Sequence, residues 1–163
     1  MPKRRYWLLK SEPHAFSFDD LLSAEGRRTA WDGVRNYTAR NTLRDDMKVG
    51  DGVLFYHSNT KPPGIAGVAK VVREGYPDPT QFDPDDAHYD PKASKDDPRW
   101  MMVDIQAVRA LARYVELDEL RAAPGLANMA LVQRGQRLSV QPVRAAEWRQ
   151  VLKLGGLSPR DVD

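Results

Sequence analysis

Trp31 and Trp100 each stand beside turn-forming and charged residues, in Ala30-Trp31-Asp32-Gly33 and in Pro98-Arg99-Trp100. An indole placed where an element begins can form one wall of a cleft, although it can equally plug the end of a barrel. Tyr56-His57-Ser58-Asn59 sets four hydrogen-bonding side chains in a row at the end of an apolar run. Such a row can read the edge of a flat ligand, or it can simply satisfy local backbone groups. Ser11, which closes the first apolar run, carries the same two readings. The chemistry these residues offer is stacking and hydrogen bonding, the chemistry of binding.

Bond-breaking chemistry finds less support. The sequence has no G-x-S-x-G, no H-E-x-x-H, no G-x-x-x-x-G-K-[ST], and no H-x-E paired with P-C-x-x-C. A nucleophile and base brought together only in space would leave no such trace, so an enzyme acting on a base or nucleotide stays an alternative. There are no cysteines, which removes disulfides and thiolate chemistry, and His14, His57 and His88 are scattered without paired spacing. Neither a metal site nor a cofactor is expected.

The elements that must position these residues follow from periodicity and breakers. Tyr6 to Lys10 is apolar and aromatic enough for a buried first strand, which Ser11-Glu12-Pro13 ends. Ser17 and Asp20 have capping-box spacing and open a short helix through Leu21 and Leu22, with Gly26 as its stop. Asn36 caps a second helix, in which Ala39, Leu43 and Met47 face a core. Asp51 to His57 and Gly64 to Arg73 read as neighbouring strands, and Trp100 to Leu111 as another. A short helix is expected over Val115 to Ala122, a late strand over Leu138 to Val143, and a closing helix over Ala145 to Leu154 with Trp148, Val151 and Leu152 inward. Trp7 and Trp148 belong to the core on this reading. Between Gly75 and Arg99, prolines at 77, 79, 84, 91 and 98 predict a long loop, ordered or half-ordered.

Strands interrupted by short helices, without regular strand-helix-strand alternation, predict a mixed α+β fold on a curled sheet, with closure as a small barrel open to it. At 163 residues one domain is the expectation. No apolar run nears the roughly 20 residues a membrane helix needs, and the basic start MPKRRYWLLKSEP lacks a signal-peptide core. A cytoplasmic, monomeric protein is expected. The net charge of +2 is only mildly basic, but it is unevenly placed: residues 74 to 98 hold eight carboxylates against Lys92 and Lys95, a balance of −6, leaving +8 elsewhere. A basic body with one acidic loop suits a phosphate-bearing partner as well as it suits an ordinary solvated surface.

Taken in order, YWLLKSEP, WDGVRNYTARN, FYHSN, GIAGVAKVV, the YPDPTQFDP to YDPK loop, DPRWMMVDIQAV and LSVQPV resemble the EVE domain, a member of the PUA-like superfamily, from about Tyr6 to Leu154. The resemblance implies a PUA-like mixed β pseudo-barrel with short flanking helices and a pocket beside it. It also implies a nucleic-acid partner, DNA or RNA, in which a modified base is read, modified cytosine being a leading candidate. Trp31, Tyr56 and Trp100 would then wall the pocket, and Ser11, Asn36, His57 and Ser58 would meet the base edge. Arg35 and Arg40 would meet phosphates, with Arg134 and Arg137 as further candidates; each could instead make a surface ion pair. A module using the same pocket for a small molecule or a protein partner is the remaining alternative.

Overall fold

The computed structural model describes residues 3–163. The described residues form one six-stranded sheet in the order β2-β5-β4-β3-β1-β6. Its strands are β1 (Tyr6–Ser11), β2 (Arg28–Ala30), β3 (Gly52–His57), β4 (Gly64–Pro77), β5 (Met101–Glu116) and β6 (Val140–Val143). β1 pairs in parallel with β3, and the other neighbours are antiparallel. Four register shifts interrupt the long β4–β5 pairing. Each such irregularity bends a strand and adds twist, so this pair curls the sheet. Short helices flank it: α1 (Phe18–Ser23), α2 (Tyr37–Asn41), α3 (Leu117–Ala122) and α4 (Ala145–Leu154). The α+β class and curled sheet are as expected from the sequence.

Alternation along the strands divides the core. Trp7, Leu9, Val53 and Phe55 join one buried cluster with Phe18 and Leu21 of α1, Ala39 of α2 and Leu43. Leu8, Leu54 and Tyr56 point the other way, into a cluster with Leu120 and with Trp148, Val151 and Leu152 of α4. The buried carboxylate of Asp51 fastens the start of β1 to β3, accepting from the Trp7 indole at 2.9 Å, the Lys48 amide at 3.0 Å and the Arg5 amide at 3.1 Å.

Several boundaries differ from the sequence reading. β4 runs to Pro77, four residues past the expected Arg73 and into the expected loop, because Tyr76 and Pro77 find partners in Met102 and Met101. β5 runs to Glu116 because β4 offers it partners there, with Gly64 opposite Glu116 and Ile65 opposite Val115. The helix expected from Val115 therefore starts at Leu117. The second helix gives way after Asn41 to a wider π turn over Thr42–Asp46, which still leaves Leu43 and Met47 buried. β2, only three residues long, carried no periodic signal. No helix among the described residues is long and apolar enough to cross a membrane.

Candidate functional site

The segment after β2 is built by its own backbone and by one arginine. The Trp31 amide bonds the Val103 carbonyl at 2.7 Å, carrying the chain one residue past the strand. Gly33 then turns with φ +77°. A Cβ here would stand 2.9 Å from the His88 ring, so both the conformation and the close approach require glycine. The Gly33 amide donates to the buried Asp78 carboxylate at 2.8 Å.

Arg35 fixes the acidic loop against this turn. Its Nε donates to the His88 carbonyl, Nη1 to the Val34 carbonyl and Asp78, and Nη2 to the Thr80 hydroxyl and the His88 carbonyl, at 2.7–3.1 Å. All five guanidinium protons are thereby used inside the protein. Burial pushes the Asp78 carboxyl upward, but the Thr80 hydroxyl, the Gly33 amide and Arg35 outweigh it and hold the group below its ordinary value. Gln81, also fully buried, donates to the carbonyls of Asp78 and Trp100 and accepts from the Arg99 and Trp100 amides. The proline-rich segment is in this way a knotted wall.

Between this wall and the end of β1 lies a cleft of 510 Å³, within the range of small-ligand sites. Trp31 lines it together with Ser11, Phe16, Asp32, His88 and Ser139, among others. Trp31 is 9% exposed and meets Phe55 edge-on at 5.5 Å between centroids. Phe55 is itself packed by Phe18 at 5.4 Å and Phe16 at 6.4 Å, so the indole is held rigidly from behind. The Ser11 hydroxyl donates to the Phe16 carbonyl, which leaves its oxygen as an acceptor. Asp32 sits at the rim; burial of its carboxyl, then the charge of Asp78, raise its pKa, while His88 opposes them.

Of the residues singled out from the sequence, Ser11, Trp31 and Arg35 line this cleft. The others lie elsewhere, for reasons the alternation and the contacts make plain. Tyr56 faces the opposite side of the sheet from Phe55 and is buried in the other cluster. His57 accepts the Phe18 amide on Nε2 at 3.1 Å, and burial, only partly offset by Asp19, lowers its pKa. The Ser58 amide joins the Ser11 carbonyl at 2.9 Å. Asn36 caps α2 by accepting from the Ala39 amide at 3.0 Å. Trp100 donates its indole proton to Asp90 at 2.8 Å and stacks on Tyr37, bracing the acidic loop against α2. Arg40 bonds the Arg99 carbonyl and the Asn41 side chain. Arg134 and Arg137 are exposed in the loop leading to Ser139 and β6.

Asp32, His88, Phe16 and Ser139 escaped the sequence reading. Asp32 adjoins Trp31 and was legible only as part of a turn. His88, 55 residues beyond Gly33, reaches the cleft only because Arg35 ties its carbonyl down.

Three comparisons bear on this site. The EVE domain family profile matches residues 5–154. Thymocyte nuclear protein 1 of Homo sapiens is 47% identical over 171 residues, which cover 94% of this chain and 75% of that protein. Among solved structures, human THYN1 protein in complex with 5-methylcytosine-containing DNA superposes with a TM-score of 0.88 at 46% identity, covering 95% of this chain and 99% of that one. A Leishmania major protein described as hypothetical gives the same TM-score at 49% identity, with coverage of 94% and 96%.

Proposed function

The chain belongs to the EVE domain family, and from that premise we propose that it binds nucleic acid by taking one modified base, with 5-methylcytosine in DNA as first candidate, into the cleft walled by Trp31. The observation that carries the reading is Trp31 itself, a rigidly backed indole bordering a cleft that also presents polar, hydrogen-bonding groups. A flipped base needs a flat surface to stack on, worth about 1 to 3 kcal/mol, and fixed groups for its edge. Support comes also from the related human protein crystallised with 5-methylcytosine-containing DNA.

The cleft's polar groups suit cytosine. Its exocyclic amine is a donor, for which a carboxylate is the natural acceptor, and Asp32 stands at the rim. The Ser11 oxygen is a second acceptor. A methyl on the ring adds apolar contact worth about 1 to 3 kcal/mol in a well-fitted pocket. Binding of this kind requires no bond to be made or broken, so the function is that of a reader rather than an enzyme.

The test is a fluorescence titration with two duplexes that differ only in one cytosine methyl. The methylated duplex is expected to bind about 10-fold more tightly. Trp31→Leu, which keeps apolar volume against Phe55 but removes the stacking plane, should lose that preference while remaining folded by circular dichroism. Equal affinity for the two duplexes, or an undiminished preference in the folded variant, overturns the reading. Response to a small planar molecule but to no strand would move the site to the small-molecule class.

A further inference from the structure

A second cleft, of 340 Å³, opens at the other end of the β1–β6 pair. It is lined by Lys3, Arg4, Arg5, Tyr6 and, from the end of β6, Pro142 to Ala145, which include Arg144. Four of the lining side chains are cationic and none is a carboxylate. The first cleft differs: Lys10 and Arg35 are matched there by Glu12 and Asp32, and the arginine has spent every donor. A phosphate finds no net charge to draw it into the one and four cations to draw it into the other.

The second cleft is also partly fixed in place. Tyr6 and Trp148 stack at 4.5 Å, and the Arg4 guanidinium lies 5.4 and 5.5 Å from their centroids. Its buried Nε has no hydrogen-bond partner, and the carboxylate of Asp163, 3.7 Å from its Nη1, is exposed. Glu147 steadies the Arg144 guanidinium at 3.0 Å. Arg5 rests over the Trp7 ring at 4.7 Å, and neither it nor Lys3 has a carboxylate within salt-bridge distance among the described residues. Two held guanidiniums and two unneutralised cations make a receptor for a doubly coordinated oxyanion.

We propose that Lys3, Arg4, Arg5 and Arg144 bind a backbone phosphate of the nucleic acid whose base occupies the Trp31 cleft. The proposal rests on the base-reading function above. Tyr6 and Ser11, which mark the two clefts, are separated by five steps of β1, about 17 Å along the strand at the usual rise. A duplex of about a dozen base pairs, at about 3.4 Å of axis per step, is long enough to reach from one cleft to the other.

The experiment compares the wild type with Lys3→Gln/Arg5→Gln, which leaves Arg4 on its aromatic pair and Arg144 on Glu147 intact. Affinity is measured from about 50 to 200 mM salt for methylated and unmethylated duplexes of about a dozen base pairs, and for 5-methylcytidine alone. Each phosphate contact contributes about 0.9 to the slope of log affinity against log salt. The double variant is expected to lose about 1 to 2 of that slope and several-fold in duplex affinity at low salt. Its preference for the methyl and its affinity for the nucleoside should stay unchanged. An unaltered slope beside an intact methyl preference overturns the second site and leaves the base reader standing. A wild type with no methyl preference overturns the base reading and this proposal together.

Discussion

Arg35 holds the wall of the cleft in place, and Asp32 is the group to which the proposed base reading assigns the cytosine amine. Replacing the five-donor guanidinium by one ammonium in Arg35→Lys leaves the fully buried Asp78 short of partners. A loss of about 2 to 3 kcal/mol in urea unfolding is expected, on the scale of hydrogen bonds to buried charged groups. Because the folded Asp78 carboxyl lies below its ordinary 3.8, its contribution is present above that pH and fades as the pH falls through the lower folded value. A stability unchanged in Arg35→Lys would mean the loop holds without the clamp. Asp32→Asn keeps shape but swaps the acceptor carboxylate for an amide; it should weaken binding of methylated cytosine about 10-fold in the same titration without altering the unfolding midpoint. Since Asp32 titrates above its ordinary 3.8, wild-type binding should begin to fail at a higher pH than a free carboxylate would impose, and the variant should not share that fall.

At the scale of elements, one ring adds a polar tie to α1, whose Phe18 and Leu21 are already buried in the core. His57, at the end of β3, accepts the first amide of the helix, which requires a neutral imidazole. Burial places its folded pKa below 6.5, so an unfolded chain takes up a proton first as the pH falls. Stability should therefore be full above about pH 6.5 and decline as the pH drops from there toward the folded value. Thermal unfolding across that interval checks it, and His57→Gln, which retains an acceptor without titrating, should flatten the decline. The histidine that the sequence offered as a possible base-edge group thus serves the helix. α2 is likewise held by side chains not read as partners: Tyr37, half exposed, stacks on Trp100 at 4.8 Å, with the Arg40 guanidinium 4.9 Å from its ring centre.

Across the whole molecule the charge is sorted. The carboxylate-rich segment reaches the Trp31 cleft through His88, and the cationic second cleft lies at the far end of β1. A polyanion approaching the site meets both fields, attractive and repulsive, and the repulsive one should slow or weaken binding most at low salt. Asp96 and Asp97 are exposed and outside the cleft lining. Changing both to Asn is expected to strengthen binding of every duplex several-fold at about 50 mM salt, with the gain gone at high salt and the methyl preference unmoved. No gain at low salt would place the bound nucleic acid away from this loop.

The amino-acid order alone determined what is local. The Ser17–Asp20 capping box, the helix at Ala145–Leu154 with Trp148 inward, and the apolar runs of β1, β3 and β4 are all set by neighbours a few residues apart. The motif series also sufficed to identify the family, because a run of matched segments in one order carries more information than any single residue. Of the residues lining the cleft, the sequence singled out Trp31 and Ser11 as pocket groups and Arg35 only as a phosphate contact. Period-two alternation turned Tyr56 away from Phe55; which face of β3 meets the cleft depends on what packs there. Arg35 looked like any exposed arginine until Asp78, Thr80 and the His88 carbonyl, more than 40 residues away, came round to consume its protons. The two clefts exist because β1 pairs with β3 on one side and β6 on the other, placing Lys3–Arg5 beside Arg144 and Ser11 beside Ser139. Juxtaposition of distant segments is a property of the sheet pairing, and it is tertiary structure that decided where this protein is flat and apolar and where it is positive.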